Sequence, residues 1–207
     1  EAIRSLNYSN KTTEQINFAV DIDDESFYMQ SLSAATGATL ENSPTYSVSG
    51  GNLNVQSINK NNGAFSYDVF VVFGSFTGNL SIEGRLLISA GGYDAFYAVF
   101  QQGIINRFEF VNSRSLGSTG NDFGYAAEIR NDNFVLAGSF EGTVDFDPNN
   151  SVTQSLTSNG LSDGFIVEYP VLNTGNLRFY NQVGGTGAYA IRTLSIPSND
   201  VVYFWGT

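Results

Sequence analysis

The residues of this chain with the most chemical potential are its carboxylates. Asp21-Ile22-Asp23-Asp24-Glu25 places four acids in five positions. Hard cations such as Ca2+ take several oxygen ligands from carboxylates and carbonyls, so Asp21, Asp23 and Asp24 are candidate metal ligands. The plainer reading of the same run is a solvated loop whose charges keep a strand edge from pairing. Asp145-Phe146-Asp147-Pro148-Asn149 has the D-x-D-x-N start of a calcium loop. An EF-hand would continue with Gly at its sixth position and Glu at its twelfth, where this chain has Asn150 and Leu156. What survives is a simpler cation site on Asp145, Asp147 and Asn149, set against a structural turn in which Pro148 ends a strand. Ca2+ is the one cofactor these residues suggest.

Other chemistry is narrowed by absence of residue types. The chain has no His and no Cys. That removes the commonest general base, thiolate metal sites, disulfides and any Ser-His-Asp triad. Paired carboxylates can hydrolyse glycosides, but nothing in the spacing of these acids selects a pair. Gly184-Gly185-Thr186-Gly187 lacks the Lys-Ser/Thr of a phosphate loop and reads as a turn. The expectation is a protein that is not an enzyme.

The remaining acids repeat. An acid stands two positions before a Phe in Glu25-Ser26-Phe27, Asp94-Ala95-Phe96 and Asp163-Gly164-Phe165, and the three Phe residues are spaced 69 apart. A catalytic residue seldom needs three copies. A repeated acid more often accepts backbone N–H bonds in a turn. Gly117-Ser118-Thr119-Gly120 matches Gly184-Gly185-Thr186-Gly187 at an offset of 67, and Val-Val-Phe-Gly-Ser-Phe at 71–76 matches Val-Leu-Ala-Gly-Ser-Phe at 135–140. First-strand markers fall at Leu6, Ile58, Ile129 and Leu194, with spacings of 52, 71 and 65. The first unit is therefore short between its second strand and Glu25.

The elements that must carry these residues are strands. Aromatic and β-branched residues with abundant Gly and Asn favour strands joined by tight turns, and Phe 17, Tyr 11 and Gly 22 are high counts in 207 residues. In the third unit strands are predicted over 125–129, 134–140, 142–147, 163–169 and 177–183. Asn131-Asp132-Asn133 forms a turn, and Thr143, Asp145 and Asp147 alternate with buried Val144 and Phe146. No stretch has a helical apolar period. Four or five short strands per unit describe a propeller blade.

The string Gly120-Asn121-Asp122-Phe123-Gly124-Tyr125-Ala126 resembles the bacterial β-propeller repeat known as SBBP, as do Gly138-Ser139-Phe140-Glu141-Gly142-Thr143-Val144-Asp145-Phe146-Asp147-Pro148 and Ser162-Asp163-Gly164-Phe165. The likeness is good over 117–187, weaker over 53–116, where Ile82-Glu83-Gly84 replaces Phe-Asp-Pro, and faint before residue 50. It implies exported, surface-associated proteins and carries no catalytic residues.

The fold expected is thus all-β, with propeller-like blades of four antiparallel strands. The units are 1–52 (shortened), 53–121, 122–188 and 189–207, the start of a fourth. Propellers close with about four to eight blades, so this chain reads as an arc of blades. It begins at Glu1 rather than Met, which suggests processing or truncation upstream.

The net charge of −11 repels phosphate backbones, so nucleic acid is not an expected partner. No apolar run is long enough to span a membrane as a helix. The expected partners are a protein or glycan at a surface, or a second copy through an incomplete blade. The expected location is extracellular or at the cell surface. Three functions are compatible with these features: a non-catalytic module for adhesion or assembly of a surface structure, a carbohydrate-binding propeller attached to a polysaccharide-degrading system, and a subunit of an extracellular filament or virion appendage.

Overall fold

The computed structural model describes residues 2–9, 15–61, 67–102, 107–147, 151–171, 176–197 and 202–207. Within them the chain is all strand and turn, and every strand pairing is antiparallel.

The strands fall into successive meanders. In the first, β1 (Ala2–Ser9), β2 (Gln15–Asp23), β3 (Ser26–Ser33) and β4 (Thr39–Asn42) pair in chain order. The short β5 (Tyr46–Ser49) then joins the start of β3. The second meander is formed by β6 (Leu53–Lys60) and β7 (Asp68–Phe76), then, after the hairpin β8 (Asn79–Ile82) and β9 (Arg85–Ile88), by β10 (Asp94–Gln102) and β11 (Phe108–Leu116). The third repeats that plan. It pairs β12 (Phe123–Arg130) and β13 (Asn133–Phe140), inserts the hairpin β14 (Thr143–Asp145) and β15 (Ser155–Thr157), and continues with β16 (Asp163–Pro170) and β17 (Phe179–Val183). A hairpin, β18 (Ile191–Ser195) and β19 (Tyr203–Gly206), begins a fourth.

The shortness of the first unit has a simple form. Where the later meanders carry an extra hairpin between second and third strands, the first has only the turn Asp24-Glu25. The hairpin β8–β9 instead attaches to β5, extending the first sheet.

The sheets stack face to face, and this explains the apolar middle strands. Phe70, Val72, Phe96 and Phe100 point toward the first meander and pack with Phe27 and Met29. Val69, Val71, Phe73, Tyr97 and Val99 point the other way and pack with Phe134, Leu136, Phe140 and Phe165. Alternate residues of one strand thus serve two cores. Phe27, Phe96 and Phe165, the Phe residues of the repeated marker, are all buried, and Phe27 and Phe96 lie 6.3 Å apart between ring centroids.

Each meander's first strand packs beside the next: β1 on β6, β6 on β12 and β12 on β18. Between β6 and β12 the link is made by side chains rather than by a ladder. Asn59 Oδ1 accepts from Ile129 N at 2.9 Å, and Ser57 Oγ accepts from Ala127 N at 3.3 Å. Backbone donors on the inner edge are therefore satisfied while the sheets remain separate. The described residues do not close into a barrel or ring.

Every one of these first strands carries one bulge at the same place. The register slips between Ile3 and Ser5, Val55 and Ser57, Gly124 and Ala126, and Ile191 and Thr193. The extra residues are Arg4, Gln56, Tyr125 and Arg192. A bulge fixes the alignment of the units, and it pairs Ile58 with Ala127 rather than with Ile129. The resulting spacings are 69 and 67 in place of 71 and 65. Ala127 and Ile129 sit two apart on one strand face, so the larger side chain was the natural but incorrect match.

Facing the bulge is a glycine. A Cβ on Gly74 would run into the carbonyl oxygen of Asn54, one on Gly138 into that of Phe123, and one on Gly206 into that of Ala190. These carbonyls belong to the residue two before each bulged position. The repeated Gly in Gly-Ser-Phe is thus a steric requirement of the bulge, not only a weak point in the strand.

Candidate functional site

The repeated acids take up structural roles, but not all three take the same one. Asp94 and Asp163 open β10 and β16 and are buried. Asp94 Oδ2 accepts from Ala90 N at 3.1 Å. Asp163 Oδ2 accepts from Asn159 N at 3.2 Å, Asn159 Nδ2 at 2.9 Å and Gln182 Nε2 at 3.0 Å. Each carboxylate closes the loop that begins four residues earlier. Each also lies where a Cβ would be on Gly117 or Gly184, which explains the first glycine of the repeated Gly-rich turn.

Glu25 differs. It is exposed in the two-residue turn, where no preceding loop exists for a carboxylate to close, and its backbone carbonyl accepts from Val48 N at 2.8 Å.

A further acid, Asp122, does the work of Asp94 and Asp163 although it precedes no repeated Phe strand. Buried, it accepts from Ser118 N at 2.6 Å and from Glu141 N at 3.0 Å. The signal available in sequence was its place four residues after Ser118, the same interval that separates Ala90 from Asp94.

The cation candidates are divided by the structure. Asp21 and Asp23 lie at the end of β2, and Asp24 is exposed in the turn that follows. Asn149 lies outside the described residues. Asp145 and Asp147 are brought together around one side chain. Asp145 Oδ1 accepts from Asp147 N at 3.0 Å and from Gln154 N at 2.9 Å, while Asp147 Oδ2 accepts from Gln154 Nε2 at 2.8 Å. These bonds hold the turn between β14 and β15. Asp147 is buried, contrary to the alternation that places it on a wet face with Thr143 and Asp145. The strand ends at Asp145 and the chain turns inward, so period two no longer applies. Among the described residues no group of three or more acids is arranged to hold a metal ion.

Burial gives two of these acids unusual proton affinity. Desolvation pushes Asp94 up to about 7, with the charge of Asp122 adding to the shift against the pull of the Ala90 N–H. Desolvation likewise pushes Asp122 up to about 6, opposed by its bonds from Ser118 and Glu141. An acid with a raised folded pKa holds a proton that the unfolded chain has released. Between about pH 4 and about pH 7 the folded state binds more protons, so its stability falls as pH rises through that window. Melting temperature is therefore expected to be highest in mild acid and to decline toward pH 7.5. Asp94→Asn, which keeps an acceptor but cannot ionise, is expected to flatten the decline. A pH profile in which stability rises from pH 4 to 7 would contradict this arrangement.

One concavity among the described residues lies between the third meander and the β18–β19 hairpin. It measures about 230 Å³ and is walled by Phe123, Tyr125, Tyr189, Arg192, Glu141 and Ser139. The two bulge residues meet here: the Arg192 guanidinium lies over the Tyr125 ring, 3.9 Å from its centroid. Tyr125 in turn stacks on Phe123 at 6.1 Å and 21°. Glu141 is held by Asn121, whose N–H donates to Oε2 at 3.0 Å. Sequence reasoning singled out none of these side chains as site residues, because the pocket is assembled from two units and no single motif contains it. A second concavity of about 290 Å³ is lined by Arg130, Arg178 and Glu168 near the opposite ends of the same strands.

Neither a scan of protein-family models nor a search of curated proteins finds a match to this chain. Its functional reading therefore rests on its own residues and geometry.

Proposed function

We propose that this chain is a non-catalytic, β-propeller-type module of an exported protein, acting at the cell surface or outside the cell in adhesion or in the assembly of a larger surface structure. Successive four-stranded meanders stacked face to face, with their first strands side by side, support this reading, because propeller blades are four-stranded sheets repeated about a common axis. The resemblance of residues 117–187 to the SBBP repeat supports the same location.

The observation that carries the reading is the stack of repeated antiparallel meanders, and the place where the reading can be tested on this chain is the edge at β19. Its counterparts β7 and β13 are paired on both sides, whereas among the described residues β19 pairs only with β18. Its side chains are open to solvent: Tyr203 is 55% exposed and Trp205 64%. An unpaired strand edge with apolar side chains is a template for another strand. The strand it fits is of the kind that β10 and β16 supply to their neighbours, an acid followed by an apolar run.

A second reading, the filament or appendage subunit, differs in what completes this edge: a neighbouring copy. Sedimentation of the purified chain over a range of concentrations separates the two. The adhesion or assembly module is expected to stay monomeric alone and to bind an added peptide spanning residues 163–170. Growth into polymers with rising concentration would favour the filament subunit. A monomer that accepts no strand under any condition would overturn both.

A further inference from the structure

The pocket between the third meander and β18–β19 has a filled counterpart one unit earlier, and the comparison assigns it a purpose. The alignment of the two junctions follows from backbone bonds. Tyr93 O accepts from Asp122 N at 2.6 Å, and Ser162 O accepts from Tyr189 N at 2.9 Å. Tyr93 therefore corresponds to Ser162. The bulges align Phe123 with Ala190, each two residues before the extra one. Between the second and third meanders, the Tyr93 and Phe123 rings pack together with centroids 5.2 Å apart, and Asn52 Nδ2 donates to the Tyr93 hydroxyl at 3.2 Å. Between the third meander and the hairpin, the same two positions hold a serine and an alanine. The pocket is the space that two rings occupy in its sister.

A second observation concerns the walls. Ser75 Oγ accepts from Gly124 N in the filled junction. Its counterpart Ser139 is only 5% exposed and lines the pocket, yet among the described residues its hydroxyl has no hydrogen-bond partner. The Arg192 donors likewise meet no acceptor among the described residues, and Glu141 Oε1 is not engaged by Asn121, which uses Oε2. A hydrocarbon ring placed here would leave these groups unsatisfied. The volume is below the roughly 300–1,000 Å³ of pockets for drug-sized ligands, which limits the occupant to about one ring.

We infer that this pocket binds a single pyranose ring of a glycan. The exposed Tyr189 ring supplies aromatic surface for the sugar's C–H face, while Ser139, Glu141 and the Arg192 guanidinium held over Tyr125 pair with its hydroxyls. The inference goes beyond the edge at β19: it depends on the junction between two units, not on what completes the fourth.

The test is to titrate the whole chain with glucose, galactose, mannose and N-acetylglucosamine separately, following backbone amide shifts by NMR. Saturable binding of at least one, with a Kd on the order of 1 mM, is expected from the size of the ligand. The largest shifts are expected at Phe123, Tyr125, Tyr189 and Arg192. The double variant Ser162→Tyr, Ala190→Phe rebuilds the filling of the sister junction and is expected to weaken binding at least about tenfold. Should that variant not fold, Ser139→Ala removes one donor without adding bulk and is expected to weaken binding roughly fivefold. The inference is overturned if none of the four sugars saturates, if the shifts lie elsewhere, or if the folded variants bind as tightly as the parent chain. Monomer state and β19 pairing do not enter these readouts, so failure here leaves the assembly reading standing.

Discussion

Replacing Gly138 with alanine is expected to cost about 3 kcal/mol, at the upper end of overpacking substitutions. In a chain of this size that corresponds to a fall in melting temperature of roughly 6–12 °C. The added methyl has no space: it would meet the Phe123 carbonyl oxygen on one side and the Phe165 ring on the other. Neither can retreat cheaply. Phe123 O is positioned by the bulge in β12, and Phe165 is buried in the core shared by the second and third meanders. Gly185→Ala is the control, since its Cβ would make only ordinary contact with Tyr189, and its effect should stay within about 0.5 kcal/mol. Thermal unfolding of the two variants side by side decides the matter. Equal melting temperatures would mean that bulge and glycine are not coupled.

The second large effect concerns the buried acid of the third meander. Asp163→Ala removes the acceptor of three hydrogen bonds and strands the Asn159 and Gln182 donors next to a cavity, which should destabilise by about 2–4 kcal/mol in urea unfolding. Glu25→Ala, at the matching point of the repeat, should cost no more than about 0.5 kcal/mol because that side chain is exposed. The contrast is the informative part. Similar losses at both positions would mean that the acid acts through something common to all units rather than through the loop it closes.

The sequence carried the unit of the fold because the features that repeat are those the packing cannot relax. Phe96 and Phe165 recur since each pairs with the Gly of Gly-Ser-Phe and fills the layer toward the preceding sheet, while Phe27 faces the following sheet; that Gly recurs since a carbonyl lies over it. The all-β class followed from the same residues. What escaped is what depends on comparing units rather than finding them. The correspondence of Ala127 with Ile58 needed the bulge, which shifts register without any change in residue type. Burial of Asp147 needed the turn that ends β14. The strand Ser155–Thr157 is short and polar, and only its pairing with β14 reveals it. Asp122 stood in the quoted repeat string, but its loop-closing role emerged only beside Asp94. The pocket was least legible of all, since two ordinary residues, Ser162 and Ala190, define it by being smaller than their counterparts.

The fourth unit is where fold and proposed function meet, and Trp205 reports on it directly because it is the chain's single tryptophan. Its side chain stands on β19 with 64% of its surface exposed. Quenching of its fluorescence by acrylamide is the most direct measurement of whether that edge is open. The account predicts efficient quenching in the monomeric chain, and protection when the peptide of residues 163–170 is added. A Trp205 already shielded in the monomer, and unchanged by the peptide, would contradict it.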